Sequence, residues 1–318
     1  MLEPYVMKVT STVLRGESGG NTADLPDQKK EEYPFVYEVS KWAPEAATAD
    51  LGNAFKRFFS GQNEHPTFHK KGINDSFRID GSVIKLQEKT LCLPKGLKIR
   101  MAEELRFEAT KIYNVTISKK AGRWFVSIQC EAGERKNQAR GEVGIDLGIK
   151  DLAILSDGTK YENPRTEREW RRKTARSQRN LHRKKKGSKN RRKARQKLAT
   201  VYRKAANARK DYTHKMTSEV TSKYVVICLE DLNVKGMLGN HKLARAVSDV
   251  ALSEVRRQFE YKAKETRYAG RFEATSKPCC VCGKVHDMPL SKRIMDCECG
   301  NKMCRDINAA INILKKAI

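Results

Sequence analysis

Between Arg165 and Lys210, 21 of 46 residues are Lys or Arg and only two, Glu167 and Glu169, are acidic. No folded core accepts such a segment, because an unpaired charge taken out of water is prohibitively costly. It must lie at the surface, between the parts of the chain that flank it. Only Gly187–Ser188 interrupts its run of helix-forming residues, which predicts two long helices hinged there. A charge run is ordinarily a solvated face. At this density, however, like charges one helical turn apart repel one another unless a polyanion neutralises them. The segment holds +19 of the chain's formal +27. Phosphate binding is therefore expected, through Arg171, Arg172, Arg176, Arg179, Arg183, Lys184, Lys185, Lys186, Lys189, Arg191, Arg192 and Arg195. Such contacts contribute affinity and a steep salt dependence rather than base-sequence reading.

With 318 residues, 39% of them hydrophobic, the chain can bury a core, and wholesale disorder is excluded. A membrane is the rival polyanionic partner, but the longest apolar run, Val225 to Leu229, is far too short to span one. The stretch from Met1 to Gly20 is polar and lacks the apolar segment of a signal peptide. The expectation is a cytoplasmic protein, nucleoid-associated when bound to DNA, with nucleic acid and no membrane as partner. Nothing in the sequence decides the oligomeric state.

Residues 1–30 remain unassigned and are linker-like in composition over Glu17–Lys30, although Tyr5–Leu14 has strand character. Over 31–66, Phe35, Val36, Val39 and Trp42, then Leu51, Phe55, Phe58 and Phe59, recur at helical spacing and predict a helical pair, with Pro44 in the first turn of the second helix. Over 67–138 the pattern changes to short alternating runs, ending in KIYNVTISKK and AGRWFVSIQCE, joined by a hairpin turn at Lys120–Ala121–Gly122. These predict a small, β-barrel-like domain. From 139 to 318 the order is two short apolar strands around Gly148, the basic segment (164–212), the buried strand YVVICLE, a helix from about Ala246 to Arg267, a strand over 271–276, a cysteine cluster (277–303) and a last helix, Asp306–Lys316. That alternation is the order of a layered α/β fold.

Six of the nine cysteines fall between Cys279 and Cys304. In a cytosolic protein such a cluster reads as metal ligands rather than disulfides. Cys279-Cys280-Val281-Cys282-Gly283 and Cys297-Glu298-Cys299-Gly300 are glycine-terminated knuckles, the usual way of bringing four thiolates into the tetrahedron that zinc prefers. The preferred ligands of one structural Zn²⁺ are Cys279, Cys282, Cys297 and Cys299. The second knuckle is one residue tight, so Cys280 or Cys304 can substitute, and His286 is also at hand. Cys92, Cys130 and Cys228 stand singly in strand-like surroundings and read as buried thiols.

Asp146 ends the strand Val143-Gly144-Ile145, Glu230 ends Val225-Val226-Ile227-Cys228-Leu229, and Asp306 opens the last helix. Each alone is an ordinary element-end residue. Brought together by sheet order, the three would repel one another and hold raised pKa values. Two Mg²⁺ ions about 4 Å apart would relieve that repulsion and suit phosphodiester cleavage.

The segments GIDLGIKDLAILSDG, VICLEDLNVKGM, SKPCCVCGK with CECG, and CRDINAAINIL occur in that order. In them, and from about Tyr33 to the C-terminus, the chain resembles the TnpB (OrfB-type) family of transposon-encoded nucleases, related to the type V CRISPR effectors. The resemblance implies an RNase H-like (RuvC) nuclease core with an inserted zinc ribbon and basic helical pair, preceded by a wedge domain (67–138) and part of a helical recognition lobe (31–66). It implies that Asp146, Glu230 and Asp306 are the catalytic acids, and that the protein is an RNA-guided, Mg²⁺-dependent DNA endonuclease with a guide non-coding RNA and target DNA as partners. Two departures stand out. Cys304 occupies a position where relatives carry an acid, and the first 30 residues are unlike the family's opening strand and helices, as if that part were shortened or replaced. The alternatives are a nucleic-acid-binding remnant or regulator that no longer cuts, and a DDE-type transposase sharing the metal chemistry.

Overall fold

The computed structural model describes residues 40–318 except 69–71, 73–74, 106–108, 133–138, 272 and 290. The first helix expected over 31–66, and the strand at Tyr5–Leu14, lie outside the described residues. The chain divides into two compact units, Met1–Arg135 and Lys136–Ile318.

In the first unit, helix α1 (Trp42–Phe59) has Pro44 in its first turn, where a missing N–H costs nothing. Its aromatic face is only partly covered: no residue of α1 is fully buried, and Phe59 is exposed. Strand β1 (Ser76–Asp80) pairs antiparallel with β5 (Ala109–Lys120), which pairs with β6 (Arg123–Ala132). A second sheet joins β2 (Lys85–Gln87), β3 (Thr90–Cys92) and β4 (Lys98–Arg100). The β-barrel-like domain expected from the sequence is thus, among the described residues, two three-stranded antiparallel sheets. Ile79, Ile84, Leu91, Leu93, Val115 and Ile117 form their shared core, with Trp42 of α1 packed on it. Each such buried aliphatic side chain contributes roughly 1.5–3 kcal/mol. The β5–β6 turn is Ala121–Gly122, with φ of 49° and 76°, the left-handed pair that matches the twist of a two-residue hairpin.

The second unit is built on a five-stranded sheet in the order β11-β10-β7-β8-β9. Strands β7 (Glu142–Leu147), β8 (Asp151–Leu155) and β9 (Lys160–Glu162) form an antiparallel meander. Strands β10 (Val226–Glu230) and β11 (Glu265–Ala269) add beside β7 in parallel. Strand side chains alternate between faces, and here the two faces meet different helices. Val143, Ile145, Leu147, Ile227 and Leu229 join one large core with residues from three helices. Val226 and Cys228 point the other way, to a smaller cluster that includes Ile313 of the C-terminal helix.

The basic segment folds as α2 (Thr166–His182) and α3 (Lys189–Lys223), hinged at Gly187 with φ of 83°, and Ser188 caps α3 by accepting from the Arg191 N–H. The basic insert, expected to end near residue 212, continues as α3 to Lys223. Met216 and Val220 of its last turns lie in the main core, so this helix is both surface arm and core element. A second correction concerns 244–276. After a short α4 (Val234–Gly239), in place of one helix from Ala246 to Arg267 and a strand over 271–276, the chain forms α5 (Ala244–Val250) and α6 (Leu252–Lys262), and the strand is β11, ahead of Gly270. The apolar spacing of Val247, Val250, Val255 and Phe259 runs through the break at Ala251, which conceals it. Strand β11 is a half-polar edge strand (Glu265-Thr266-Arg267-Tyr268) that only its pairing with β10 distinguishes from a helix. No helix among the described residues is long and apolar enough to cross a membrane.

Candidate active site and metal centre

Gly144 explains how the site is assembled. A glycine inside a buried strand marks a close approach of another backbone. A Cβ placed there would lie 2.0 Å from the Ala310 carbonyl oxygen and 2.9 Å from the Leu314 Cβ, so helix α7 (Arg305–Ala317) lies directly against β7. Gly144 and Asp146 share a strand face, and Asp306 is one helical turn before Ala310. Two residues of strand and four residues of helix both span about 6–7 Å, which brings Asp146 and Asp306 to the same end. Strand β10 runs parallel to β7 with Leu229 opposite Ile145, so Glu230 is level with Asp146, on the same face as Val226 and Cys228. Two strand ends and one helix start thus converge at the carboxyl ends of the adjacent inner strands β7 and β10.

The electrostatics reflect that convergence. Burial, then the negative charges of Asp306 and Glu230, push the Asp146 carboxyl up to about 7, against an opposing pull from Arg305. Burial also raises Glu230, although the Thr275 hydroxyl donates to its Oε1 at 3.3 Å. Arg305 is buried and bonds to the Pro289 carbonyl and Ser276 Oγ, and Arg293 Nη1 lies 4.0 Å from Asp306 Oδ1. Carboxylates are the oxygen donors that Mg²⁺ takes, but the oxygens of Asp146, Glu230 and Asp306 do not all lie within 4.8 Å of one another as the four cysteine sulfurs of the knuckles do.

Helix α7 carries a second duty that sequence reasoning missed. Asn308 and Asn312, four residues apart, are both buried. Asn308 accepts from the Cys280 N–H and donates to the Pro278 carbonyl at 2.7 Å, while Asn312 donates to the Thr275 and Pro278 carbonyls, each at 2.8 Å. The helix that positions Asp306 therefore also anchors the loop leading into the cysteine knuckles. Two asparagines at i and i+4 in an otherwise amphipathic helix were the available signal.

The knuckles share one hydrogen-bonding plan, the second one residue tighter than the first. In the first, Cys279 N–H bonds to the Lys284 carbonyl and Gly283 N–H to the Cys279 carbonyl; in the second, Cys297 N–H bonds to the Asn301 carbonyl and Gly300 N–H to the Cys297 carbonyl. Gly283 and Gly300 have φ of 78° and 86°, the left-handed backbone that each turn requires. Strands β12 (Ile294–Asp296) and β13 (Lys302–Cys304) carry the second knuckle between them. The sulfurs of Cys279, Cys282, Cys297 and Cys299 all lie within 4.8 Å of one another, with Cys279–Cys299 at 3.7 Å and Cys282–Cys297 at 3.5 Å. A tetrahedral zinc with sulfur ligands at about 2.3 Å has sulfur–sulfur edges of about 3.8 Å, so the four fit a metal such as zinc. Burial opposes ionisation of Cys279, but the N–H groups of Cys282 and Val281 and the Asn301 amide hold its thiol below the usual range. Cys297 and Cys299, against the N–H groups of Cys299 and Asn301, are pushed up by burial and the neighbouring thiols. The substitutes stand outside this group: Cys280 Sγ packs on Met303 Sδ at 3.6 Å, and Cys304 Sγ lies 3.8 Å from Lys160 Nζ. His286 abuts the cluster, its Nε2 3.1 Å from Cys297 Sγ. Of the single cysteines, Cys228 is buried, whereas Cys92 and Cys130 are only half-buried.

Along the basic arm, Arg171, Arg172, Arg176, Arg179, Arg183, Lys185, Lys186, Lys189, Arg192 and Arg195 are exposed, while Lys184 and Arg191 are half-buried. Arg191 is committed locally: its guanidinium donates to the Leu181 and Lys184 carbonyls at 3.1 and 3.0 Å, capping the end of α2. Between the helices lies a cleft of about 630 Å³ lined by Arg176, Arg179, Arg183 and Lys197. The arm is tied at its base by Asp249 of α5, whose carboxylate accepts from the Glu167 N–H at 3.0 Å and pairs with Arg209.

A similar fold occurs in a solved structure described as "Cryo-EM structure of the Cas12f1-sgRNA-target DNA complex": TM-score 0.53 at 15% identity, covering 97% of this chain and 78% of that one. The class of protein is thus a mixed α/β protein with a Cas12f1-like fold and a cysteine cluster able to hold a metal. A family model described as "Probable transposase" (OrfB_IS605) matches residues 116–241, and one described as "Cas12f1-like, TNB domain" matches 253–313. The chain is 39% identical over 306 residues to a "Putative RNA-guided DNA endonuclease" of Streptomyces pristinaespiralis, covering 92% of this chain and 76% of that protein. It is 34% identical over 290 residues to the "Putative RNA-guided DNA endonuclease InsQ" of Escherichia coli (strain K12), covering 83% and 71%. The chain belongs to the TnpB (OrfB-type) family of transposon-encoded RNA-guided nucleases.

Proposed function

We propose that this protein is an RNA-guided, Mg²⁺-dependent DNA endonuclease whose catalytic acids are Asp146, Glu230 and Asp306. The observation that carries the reading is the convergence of these three carboxylates at the carboxyl ends of β7 and β10, with Asp146 raised to about 7 by burial and by the charges of the other two. A carboxylate cluster this poorly compensated is stabilised by cations. The sheet order, an antiparallel meander extended by two parallel strands, supports an RNase H-like (RuvC) assignment for 139–318. The wedge (67–138) and recognition-lobe (31–66) assignments rest on the family resemblance.

Mg²⁺ held by Asp146, Glu230 and Asp306 would supply an activated water and would stabilise charge on the leaving 3′ oxygen. The chain's own part is preorganisation. Gly144 lets α7 approach, Asn308 and Asn312 hold that helix to the ribbon loop, and Thr275 orients Glu230. Cys279, Cys282, Cys297 and Cys299 bind one structural Zn²⁺. The α2–α3 arm supplies phosphate contacts, and base pairing with a guide RNA supplies the sequence reading.

Purified protein, combined with RNA transcribed from the 3′ flank of its gene, is expected to cut a matched plasmid in Mg²⁺. Asp146→Ala is expected not to cut. Equal cutting by both proteins would refute the assignment of the acids, and absence of cutting by wild type would favour a protein that binds without cleaving. Zinc at about one ion per chain, lost in the Cys279→Ser/Cys282→Ser double variant, tests the ribbon.

A further inference from the structure

The tip of the β5–β6 hairpin takes no part in the acidic cluster, the cysteine knuckles or the basic arm. The hairpin's core-facing residues are Val115, Ile117, Val126 and Ile128, and it continues three residue pairs beyond them: Ser118 with Phe125, Lys119 with Trp124, and Lys120 with Arg123. Trp124 is 58% exposed, Lys119 is exposed on the same strand face, and Lys120 and Arg123 are exposed at the tip on the opposite face. Indole rings are usually largely buried, because each carries a large apolar surface. One held in water at the end of a strand pair, outside the core, contributes little to folding.

Three features of the tip select a ligand chemistry. The first is charge: from Asn114 to Gln129 there are three cations and no acid. The second is rigidity. The turn is the two-residue Ala121–Gly122 type matched to strand twist, and the Lys119 N–H is fixed on the Asp75 carbonyl at 2.8 Å, so the ring is presented on an ordered support. The third is geometry at the ring itself. Lys119 Nζ lies over one face of the Trp124 ring, 5.3 Å from its centre, which orients the indole and sets a cation against that face. A flat aromatic surface flanked by cations suits a nucleobase stacked on the ring with its phosphates on the lysines and arginine. A duplex offers no such partner along its length, because its base faces are already stacked on one another.

We propose that the β5–β6 hairpin tip is a binding site for an unpaired nucleotide segment, in which Trp124 stacks on a base and Lys119, Lys120 and Arg123 contact the flanking phosphates. The site does not depend on cleavage or on the carboxylate cluster. A guide RNA and a displaced DNA strand both present this chemistry, and the experiment separates them.

Full-length protein, with Mg²⁺ omitted so that nothing is cut, is mixed with twelve-nucleotide oligouridine or oligothymidine, each carrying one 5-iodopyrimidine, and irradiated. A crosslink is expected on the peptide containing Trp124. Crosslinking with only one of the two oligomers identifies RNA or DNA as the source and supports the site. Trp124→Ala is expected to weaken binding of the crosslinking oligomer about tenfold, the usual effect of losing one stacked base. It should leave the salt dependence, the affinity for a twelve-base-pair duplex and the melting temperature unchanged, and Trp124→Phe should retain most of the affinity. The proposal is overturned if all crosslinks fall within 165–210, or if Trp124→Ala binds both oligomers as tightly as wild type. An equal loss of duplex affinity in Trp124→Ala would also overturn it.

Discussion

Asp146→Asn in the absence of Mg²⁺ is the sharpest test of the acidic cluster, because it predicts that removing one of the three proposed catalytic acids stabilises the protein. Burial, Asp306 and Glu230 raise the Asp146 carboxyl from 3.8 to about 7. A carboxyl raised on folding binds its proton more tightly in the native state than in the unfolded one. Its stabilising contribution is therefore complete below about pH 4, falls as pH rises through that window, and is lost above about pH 7. The shift of roughly three units corresponds to about 4 kcal/mol at 1.36 kcal/mol per unit. That figure is an upper bound, because solvent reaches the strand ends and the ionised cluster can relax. Asparagine keeps the shape and cannot ionise, so the variant should be the more stable protein at pH 8, by roughly 2–4 kcal/mol, and equal to wild type near pH 4. The assay is the melting temperature of the Zn²⁺-loaded, Mg²⁺-free protein from pH 4 to 8.5. Wild type should lose several degrees across pH 5–7.5 that Asp146→Asn does not lose, and added Mg²⁺ should restore them in wild type alone. Parallel pH curves for the two proteins, or a variant less stable than wild type at pH 8, would refute the reasoning.

The packing around the cluster and the charge of the arm have consequences of their own. Gly144→Ala forces α7 away from β7, since its Cβ would meet the Ala310 carbonyl at 2.0 Å; a loss of roughly 1–3 kcal/mol is expected, read by thermal unfolding, with cleavage abolished at temperatures where the chain is still folded. Asn312→Ala strips a donor from two buried carbonyls and should cost about 1–3 kcal/mol, with faster proteolysis of the ribbon loop as a local readout. Changing Arg176, Arg179, Arg183 and Lys197 of the arm's cleft to Gln should weaken binding to any DNA sequence alike. For every phosphate left without its cation, the slope of log affinity against log salt should become shallower by about 0.9.

Much of the second unit was legible because its signals are local. Val143-Gly144-Ile145-Asp146 and Val226–Glu230 announce buried strands by composition alone, and the knuckle glycines announce their turns. The arm's two helices and the Gly187–Ser188 hinge follow from propensity and charge. The elements that sequence misplaced have one common cause: each depends on a partner far away along the chain. Strand β11 is defined by its pairing with β10, the last turns of α3 by the core they enter, and the break at Ala251 by packing that continues across it.

The sequence by itself determined that the chain is a basic α/β protein with six clustered cysteines and three acids at element ends, because composition, periodicity and short-range spacing do not depend on the rest of the chain. Only the tertiary structure decided that Asp146 and Glu230 stand level on one face of the sheet, with Asp306 of α7 near Asp146. That required a parallel strand register, together with a glycine that lets helix α7 lie against β7. It also decided that the same helix holds the cysteine loop through Asn308 and Asn312, since a buried amide finds its partners only after distant backbone is brought beside it. Electrostatic coupling among the acids belongs to that second category, because charges interact through distance in space and not along the chain.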